Sequence, residues 1–393
     1  MKKLFPYFLA FLIAAFVTPA FALDNLQELL KEAYDGDVDA QYSLGEYYFA
    51  GEGLVQDYEK AFKWFKEAAD RGSLEARYNL AVMYDQGLGV PRNYDKAREL
   101  FLKVADKGDA DAQYSLGIMY YSGTGVAQDY KEALKWFQKA VRKDHALAEF
   151  SLAGMYFSGI EVKKDLKKAY KWFLKAAEQG LSEAQNNLGI MYDFGTGVAQ
   201  DYDTARQWFE FAAEQGYPPA ERNLALMYEQ GKGMAKDYKK AVELYTSAAE
   251  KGDIKAQYNL GIMYNQGKGV AQNYSEAFEW FNRAAEQGDA DAQNNLGIMY
   301  HSGNGVAQDF EEAFKWYSLA AKQGDPIAQS NLGIMYYAGK GVKQSDILSY
   351  AWLSRAYEQG FKEAKEGMDI LLKRMTPDQI VKAQKLAKKK NKK

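Results

Sequence analysis

The side chains that most often carry out acid–base or metal chemistry are scarce in this sequence. His145 and His301 are its only two histidines, they lie 156 positions apart, and there is no cysteine. Thiolate catalysis, disulfides and cysteine zinc sites are therefore excluded. No H-E-x-x-H motif offers a metal site. We interpret both histidines as helix-cap or surface residues, and we predict no catalytic, metal-binding or cofactor-binding residue.

Glycine-rich loops and one acidic loop suggest two further kinds of site. G-x-G turns recur along the chain, but none continues as a G-x-G-x-x-G or G-x-x-x-x-G-K-[ST] phosphate-binding motif. Residues 265–276 have the length of a calcium-binding loop, but Val270 stands where that loop needs its sharp-turn glycine. The serine-hydrolase motifs S-x-x-K and G-x-S-x-G are absent. These patterns favour turn geometry over ligand chemistry.

Charge and the first residues limit the partners and the compartment. The formal net charge is −3, which is not the strongly basic composition of a nucleic-acid-binding protein. Two lysines precede an apolar segment from Leu4 to Val17 and an Ala-x-Ala site that ends at Ala22. This pattern is typical of a signal peptide, residues 1–22, and predicts an exported protein, periplasmic or secreted. An uncleaved anchor is the alternative.

The strongest pattern is a repeat of 36 residues. Alanine recurs at this interval from Ala40 to Ala364, which gives nine complete units and the start of a tenth. When this alanine is numbered 0, every complete unit has Leu at +4, Tyr at +8 and Gly at +11. All seven tryptophans fall at +24. Periods of this length are typical of stacked structural repeats.

The offsets predict two helices per unit. Positions 0, +4 and +8 share one face of the first helix, and +21, +24, +25, +28 and +29 form the apolar stripe of the second. Asp or Ser at +33 and Asp or Asn at +17 are the expected N-caps, and the +11 glycine is the expected C-cap. Glutamates three residues after some +17 caps predict capping boxes, namely at Glu132, Glu276 and Glu312. In the fourth unit Glu161 replaces a loop glycine and Asp144-His145 replaces Gly-Asp, so we expect any bend or weak joint there.

Additional helices are expected at both ends. Asp24 and Gln27 are the predicted caps of an N-terminal helix, and Thr376 with Gln379 is predicted to open a final one. The predicted organisation is a signal peptide at 1–22, a capping helix at 23–39, repeats at 40–363, and C-terminal capping helices with a basic tail at 364–393.

A single helix pair cannot bury both of its faces, so the units must stack. We expect an all-α fold: an α/α solenoid of nine complete 36-residue helix-turn-helix repeats, wound as a right-handed superhelix. The segment 112–140, AQYSLGIMYxxGxGVAQDYxxAxxWFxxA, resembles the Sel1-like repeat, a relative of the tetratricopeptide repeat. The resemblance covers about residues 24–385. It implies αα-hairpin units that hold protein partners, and some exported members resemble β-lactamase-like or peptidoglycan-associated proteins.

Recognition positions are expected to vary between units, whereas structural positions stay constant. Positions +2 and +9 of the first helix lie away from the Leu/Tyr stripe, and by analogy with tetratricopeptide arrays they line a concave side. They are aromatic-rich in the first four units and more polar later. The predicted partner-binding residues are Tyr42, Phe49, Tyr78, Tyr114, Tyr121, Phe150 and Phe157. The alternative is that these rings only pack between adjacent first helices. Six asparagines at +3 could bind a ligand backbone, but we expect them to bond a neighbouring loop.

The favoured function is an exported, non-enzymatic scaffold or adaptor for protein or peptide partners, possible partners being envelope or host proteins. Neither nucleic acid nor a membrane span after cleavage is expected. A weak hydrolase of β-lactams or peptidoglycan fragments is the alternative that the resemblance implies, and a spacer without a ligand is a third. The lysine-rich end, Lys388 to Lys393, is expected to be solvated, with envelope phosphates or acidic partners as its alternative contacts.

Overall fold

The computed structural model describes residues 19–51 and 54–388, with side chains from Leu26 onward. Within these residues the regular structure is entirely helical, with 21 α-helices, one short 3-10 helix and no strand. Residues 1–18 of the predicted signal peptide, and residues 389–393 of the lysine-rich tail, lie outside the described residues. The all-α prediction is confirmed.

The helices follow one another as hairpins. The first nine are α1 (Pro19–Asp35), α2 (Val38–Ala50), α3 (Tyr58–Asp70), α4 (Leu74–Gln86), α5 (Tyr94–Ala105), α6 (Ala110–Ser122), α7 (Tyr130–Ala140), α8 (Ala146–Ser158) and α9 (Leu166–Glu178). The others are α10 (Ser182–Phe194), α11 (Tyr202–Glu214), α12 (Pro218–Gln230), α13 (Tyr238–Glu250), α14 (Ile254–Gln266), α15 (Tyr274–Glu286), α16 (Ala290–Ser302), α17 (Phe310–Gln323), α18 (Pro326–Ala338), α19 (Asp346–Glu358), α20 (Ala364–Arg374) and α21 (Pro377–Ala387). The chain divides after Ala176 into unit one, residues 1–176, and unit two, residues 177–393. Each unit is a stack of helix hairpins, the solenoid type of fold.

The cap residues explain where the helices begin. At the start of α6 the Asp109 carboxylate accepts the N–H of Ala112 at 2.7 Å, and at the start of α7 the Asp129 carboxylate accepts the N–H of Glu132 at 2.9 Å. The same bond recurs at the predicted caps Asp37, Ser73, Asp253, Asp289 and Asp325 of first helices, and at Asp57, Asn93, Asp165, Asp201, Asp237, Asn273 and Asp309 of second helices. The predicted caps are therefore confirmed at these positions.

The capping boxes predicted at Glu132, Glu276 and Glu312 are wrong. A box needs the backbone N–H of the cap residue, but the N–H of Asp129 already bonds the Tyr120 carbonyl at 2.9 Å. The equivalent bonds are Asn273 to Tyr264 and Asp309 to Tyr300. They tie the start of each second helix to the end of the first. Outside the repeats, Thr376 and Gln379 form the reciprocal box that the sequence predicts.

Each repeat pairs a large side chain with a small one. A Cβ on Gly261, at +5 of α14, would come within 2.7 Å of the Phe281 ring in α15. Phe281 clusters with Leu296 of the next first helix, whereas Trp280 clusters with Tyr245 of the preceding second helix. One helix thus fills the interfaces on both of its sides, as the large and small residues of its stripe predict.

The fourth repeat departs from the others in its backbone. The nine +11 glycines that end the first helices have φ between 65° and 77°, the left-handed region that glycine tolerates. Among the described residues, two that are not glycine also have positive φ: Glu161 at 54° within this repeat, and Asp144 at 52° at the end of the repeat before it. A left-handed residue with a Cβ costs about 1–2 kcal/mol. This repeat therefore carries local strain, and the bend expected there stays a prediction.

Glu161→Gly is expected to raise the free energy of unfolding by about 1 kcal/mol, because glycine adopts a φ of 54° without the Cβ penalty. Urea denaturation followed by far-UV circular dichroism measures the change. Glu161→Ala is the control, since it removes the charge but keeps a Cβ, and it should change stability little. Equal gains in both variants would assign the effect to charge.

The N-terminal helix begins earlier than predicted. Helix α1 starts at Pro19, so Asp24 lies inside the helix and is not its N-cap. Proline suits the first helical position, and the alanine and leucine residues that follow it are helix formers. Leu26, Leu29 and Leu30 of this helix pack against a cluster of Ala33, Ala40 and Leu44. No helix in the described part of the chain is both long enough and apolar enough to cross a bilayer.

Candidate functional site

The +2 rings of unit one lie against the second helix of their own repeat. The ring centroids are 5.8 Å apart for Tyr42–Phe65, 5.5 Å for Tyr78–Phe101, 5.9 Å for Tyr114–Phe137 and 5.5 Å for Phe150–Phe173. Tyr42, Tyr78 and Phe150 remain only partly buried. Each of these three rings therefore has one side fixed by the core and another open to solvent.

The +9 rings of the same unit are held in a similar way. Phe49 meets Tyr58 edge-on at 5.3 Å, and Tyr121 meets Tyr130 edge-on at 5.1 Å. Such inclined pairs are a favourable aromatic geometry. Phe157 is 37% exposed. The +9 rings are therefore also packed in part and accessible to solvent in part.

Tyr114 differs from the other six predicted binding residues, because it is only 1% exposed. Its ring lies 4.9 Å from the imidazole of His145, the N-cap of the first helix of the next repeat. His145 stands where most repeats have an aspartate cap, and its larger ring covers the tyrosine. Tyr114 is therefore not part of the exposed patch, and the prediction rests on the remaining six residues.

Two of the six asparagines at +3, Asn223 and Asn331, bond a neighbouring helix and not a loop, so the expected loop partner is wrong for these two. Asn223 donates to Asn186 at 2.8 Å, and Asn331 donates to Asn294 at 3.1 Å. Both acceptors are +2 side chains of the preceding first helix. Tyr78 forms the same kind of contact with Ser115, and burial raises the pKa of Tyr78 to about 12. Its hydroxyl therefore keeps its proton at neutral pH. These bonds fix the +2 row relative to the next helix.

His145 has both ring nitrogens engaged. Nδ1 accepts the N–H of Ala148 at 3.1 Å, which makes His145 the N-cap of α8, and Nε2 donates to Asp111 Oδ1 at 3.0 Å. This bond from His145 holds the pKa of Asp111 below its usual value. The imidazole therefore has no unshared nitrogen lone pair for general-base work. Among the described residues, no three His, Asp or Glu side chains are grouped to hold a metal ion.

The family model of the Sel1 repeat matches the chain nine times in succession, over most of its length. The matched segments are residues 38–73, 74–109, 110–145, 146–181, 182–217, 218–253, 254–289, 290–325 and 326–361. The chain belongs to the Sel1 repeat family. The resemblance seen in residues 112–140 is thus confirmed.

Two solved structures are similar to this Sel1 repeat chain over most of their length. One is a protective antigen present in uropathogenic Escherichia coli strains, which displays an SLR fold; it is 32% identical, with 94% of this chain and 91% of that chain covered and a TM-score of 0.54. The other is a Sel1 repeat protein from Oxalobacter formigenes, also 32% identical, with 82% and 95% covered and a TM-score of 0.60. The comparison with curated proteins finds no match. Sel1 repeat proteins generally mediate protein–protein interactions.

The Sel1 repeats contain a row of buried amides that was not predicted from the sequence. Gln257, at +1 of its repeat, donates to the carbonyl of Ala249 in the preceding second helix at 3.1 Å. Gln287, at +31, donates in turn to Gln257 Oε1 at 2.8 Å. Glutamine occupies +1 in six of the nine repeats, and this recurrence could have indicated the row from the sequence. The row therefore links consecutive second helices through the first helix between them.

A row of aliphatic residues at +6 was not predicted from the sequence either. In unit two Leu226, Ile298 and Ile334 are 37%, 40% and 52% exposed. Position +6 lies about 200° around the helix from the buried +4 leucine, so aliphatic residues there predict an exposed apolar strip. The strip lies on the same helices whose +2 and +9 positions are mostly polar.

The environment of the second histidine, His301, can be tested by measuring its pKa. Burial, assisted by the charge of Lys340, lowers the pKa of His301. Because the folded pKa is below the unfolded one, the associated stability is present above the unfolded value of about 6.5 and is lost as the pH falls through the folded value. An NMR titration should give a midpoint below about 6.5, and Lys340→Met should raise it. A midpoint at or above that of the urea-unfolded chain would contradict the assignment.

Proposed function

We propose that this chain is an exported, non-enzymatic scaffold that binds protein or peptide partners on the first-helix face of its repeats. The observation that carries the proposal is the set of partly accessible rings at +2 and +9 of unit one. The set consists of Tyr42, Phe49, Tyr78, Tyr121, Phe150 and Phe157. Membership of a family that generally mediates protein–protein interactions supports this role.

The packing of these rings suits recognition. Phe49 and Tyr121 are already fixed by ring contacts at 5.3 and 5.1 Å, so a partner would not have to order them. Immobilising a free side chain at an interface costs about 0.5–1.5 kcal/mol, and a pre-fixed ring avoids most of that cost. Aromatic side chains are also enriched among the residues that dominate binding energy. The first-helix face of unit one is therefore a preorganised aromatic surface.

Unit two offers different chemistry on its first helices. Leu226, Ile298 and Ile334 present the exposed aliphatic strip, whereas the +2 side chains of Asn186 and Asn294 are buried and bond the next first helix. A partner of this unit would match a narrow apolar strip. The two units therefore suit two different segments or partners.

The proposal that the protein is exported rests on the predicted signal peptide at residues 1–22. The similarity to a protein described as a protective antigen supports it. On this proposal the partners are envelope or host proteins. The alternative is hydrolysis of β-lactams or peptidoglycan; the pair of His145 with Asp111 does not support it, because His145 serves as a helix cap. Sel1 repeat scaffolds are typically non-catalytic.

Photo-crosslinking tests the binding face directly. A benzoylphenylalanine in place of Tyr121 is expected to crosslink a partner in native envelope extract. The same residue in place of Phe211, which is 51% exposed in unit two, is the control and should not capture that partner. The double variant Phe49→Ala, Tyr121→Ala should then bind the purified partner about tenfold or more weakly. Phe211→Ala should leave that affinity unchanged.

Two results would contradict the proposal. One is an unchanged affinity in the double variant while its circular dichroism matches wild type, which would make the rings packing residues only. The other is turnover of a chromogenic β-lactam or of muropeptides by the purified chain, which would support the hydrolase.

A further inference from the structure

Helix α9 and the loop before it carry the densest group of positive charges in the repeats. Six lysines lie between positions 163 and 175, with Asp165 as the only acidic residue among them. They are Lys163, Lys164, Lys167, Lys168, Lys171 and Lys175. The chain as a whole has a net charge of −3, so this is a local basic patch on an acidic body.

Most of this charge is not neutralised within the chain. In other repeats a second-helix lysine pairs with a carboxylate one turn earlier, as Lys135 does with Glu132 at 2.7 Å. In the patch, Lys168 reaches Asp165 at 3.8 Å, and Lys175 reaches both Asp144 at 3.6 Å and the buried Glu149 at 3.7 Å. Within the described residues, four members of the patch form no ion pair; these are Lys163, Lys164, Lys167 and Lys171. A net positive surface therefore faces solvent.

The patch borders a cavity of about 380 Å³. The cavity is lined by Tyr156, Val162, Lys163, Lys164, Asp165 and Lys168. The Lys168 ammonium lies 5.2 Å from the centre of the Tyr156 ring. An apolar surface and a positive charge are therefore next to each other in this cavity. The irregular loop with Glu161 at φ 54° forms this side of the site. An occupant could therefore place an apolar side chain beside its acidic groups.

We propose that this patch binds an acidic peptide segment of a protein partner. Lys167 and Lys171, which form no ion pair, lie one helical turn apart, a rise of about 6 Å. Carboxylates on alternate residues of an extended peptide repeat at about 6.6–6.8 Å, which nearly matches this spacing. A short peptide meets only the patch, whereas a bilayer or a long polyanion would also meet the negative remainder of the chain. The patch lies on a second helix and its loop, so the proposal does not rest on binding by the first-helix rings.

Fluorescence anisotropy with the full chain tests this proposal. The probe is a labelled peptide with glutamate at every second position and tyrosine between two of them, and its glutamine analogue is the matched control. The glutamate peptide should bind, more weakly as salt rises, and the glutamine peptide should not. Lys167→Glu with Lys168→Glu should weaken binding about tenfold or more. The fold accommodates these residues, since Glu311 and Glu312 occupy the equivalent positions of α17.

The matched variant is Lys239→Glu with Lys240→Glu, which makes the same charge change at the same positions of α13 in unit two. Unchanged affinity in this variant, with loss in the α9 variant, supports the site. Equal losses in both would reduce the effect to overall charge and overturn the proposal. It is also overturned if the glutamate peptide fails to bind, or if phosphatidylglycerol vesicles or inorganic phosphate bind the patch and the peptide does not.

Discussion

Phe281→Ala is expected to lower the free energy of unfolding by about 3–5 kcal/mol. The ring is 1% exposed and lies over Gly261 of its own repeat, in a cluster with Leu296 of the next first helix. Its removal leaves a cavity that neither helix can close alone. Repeats are stabilised largely by their neighbours, so both adjoining repeats should be destabilised. Urea denaturation measures the loss, and hydrogen exchange of the amides in residues 254–325 shows where it occurs.

Phe194→Ala is the control for this variant, because that phenylalanine is 67% exposed. Its effect should stay within about 0.5 kcal/mol. If Phe281→Ala unfolded at the same urea concentration as wild type, the ring would not be a core element of the repeat.

Gly305→Ala is expected to cost about 3 kcal/mol, from two sources. The backbone at Gly305 has φ 73°, which strains any residue with a Cβ. An added Cβ would also meet the carbonyl oxygen of Tyr274, in the second helix of the preceding repeat, at 2.3 Å. Because this clash is with a backbone atom, a side-chain rotation cannot relieve it. Thermal and urea unfolding of the purified variant measure the combined loss.

Gly288→Ala separates the two sources. Gly288 also has a positive φ, 95°, but a Cβ there would have no atom within 4 Å. This variant should lose only about 1 kcal/mol, the cost of the left-handed backbone. Equal losses at the two positions would mean that the loop does not press on the preceding helix.

The features that could be predicted from the sequence are those fixed by local chemistry that recurs. An aspartate three residues before an unsatisfied N–H, as at Asp109, caps a helix wherever it occurs, and a glycine at a helix end takes the left-handed conformation. Trp280 and Phe281 likewise lie on the apolar stripe that the spacing predicts, and both are buried. Such features depend on neighbours within one or two turns.

The features that were missed depend on competition between partners that are distant in sequence. Glu132 has the right position for a capping box, but the Tyr120 carbonyl takes the N–H first. Tyr114 has the same offset as Tyr78, but the ring of His145 covers it. Asn223 bonds Asn186, a +2 side chain of the preceding first helix. In each case the outcome depends on a partner outside the helix that carries the residue.

The linked amides at +1 and +31 have a consequence for how such a chain can change in length. Gln257 bonds the Ala249 carbonyl and receives Gln287, and one period later Gln293 bonds the Ala285 carbonyl and receives Gln323. Excising residues 254–289 would place Gln293 beside the Ala249 carbonyl, in the position that Gln257 now occupies. Each glutamine side chain of this row would then still meet a backbone carbonyl or a glutamine oxygen of the neighbouring repeat. Genetic duplication or loss of whole 36-residue modules therefore preserves the hydrogen bonds between repeats. An insertion of any other size within a module would shift its glutamines away from their acceptors in the neighbouring repeats.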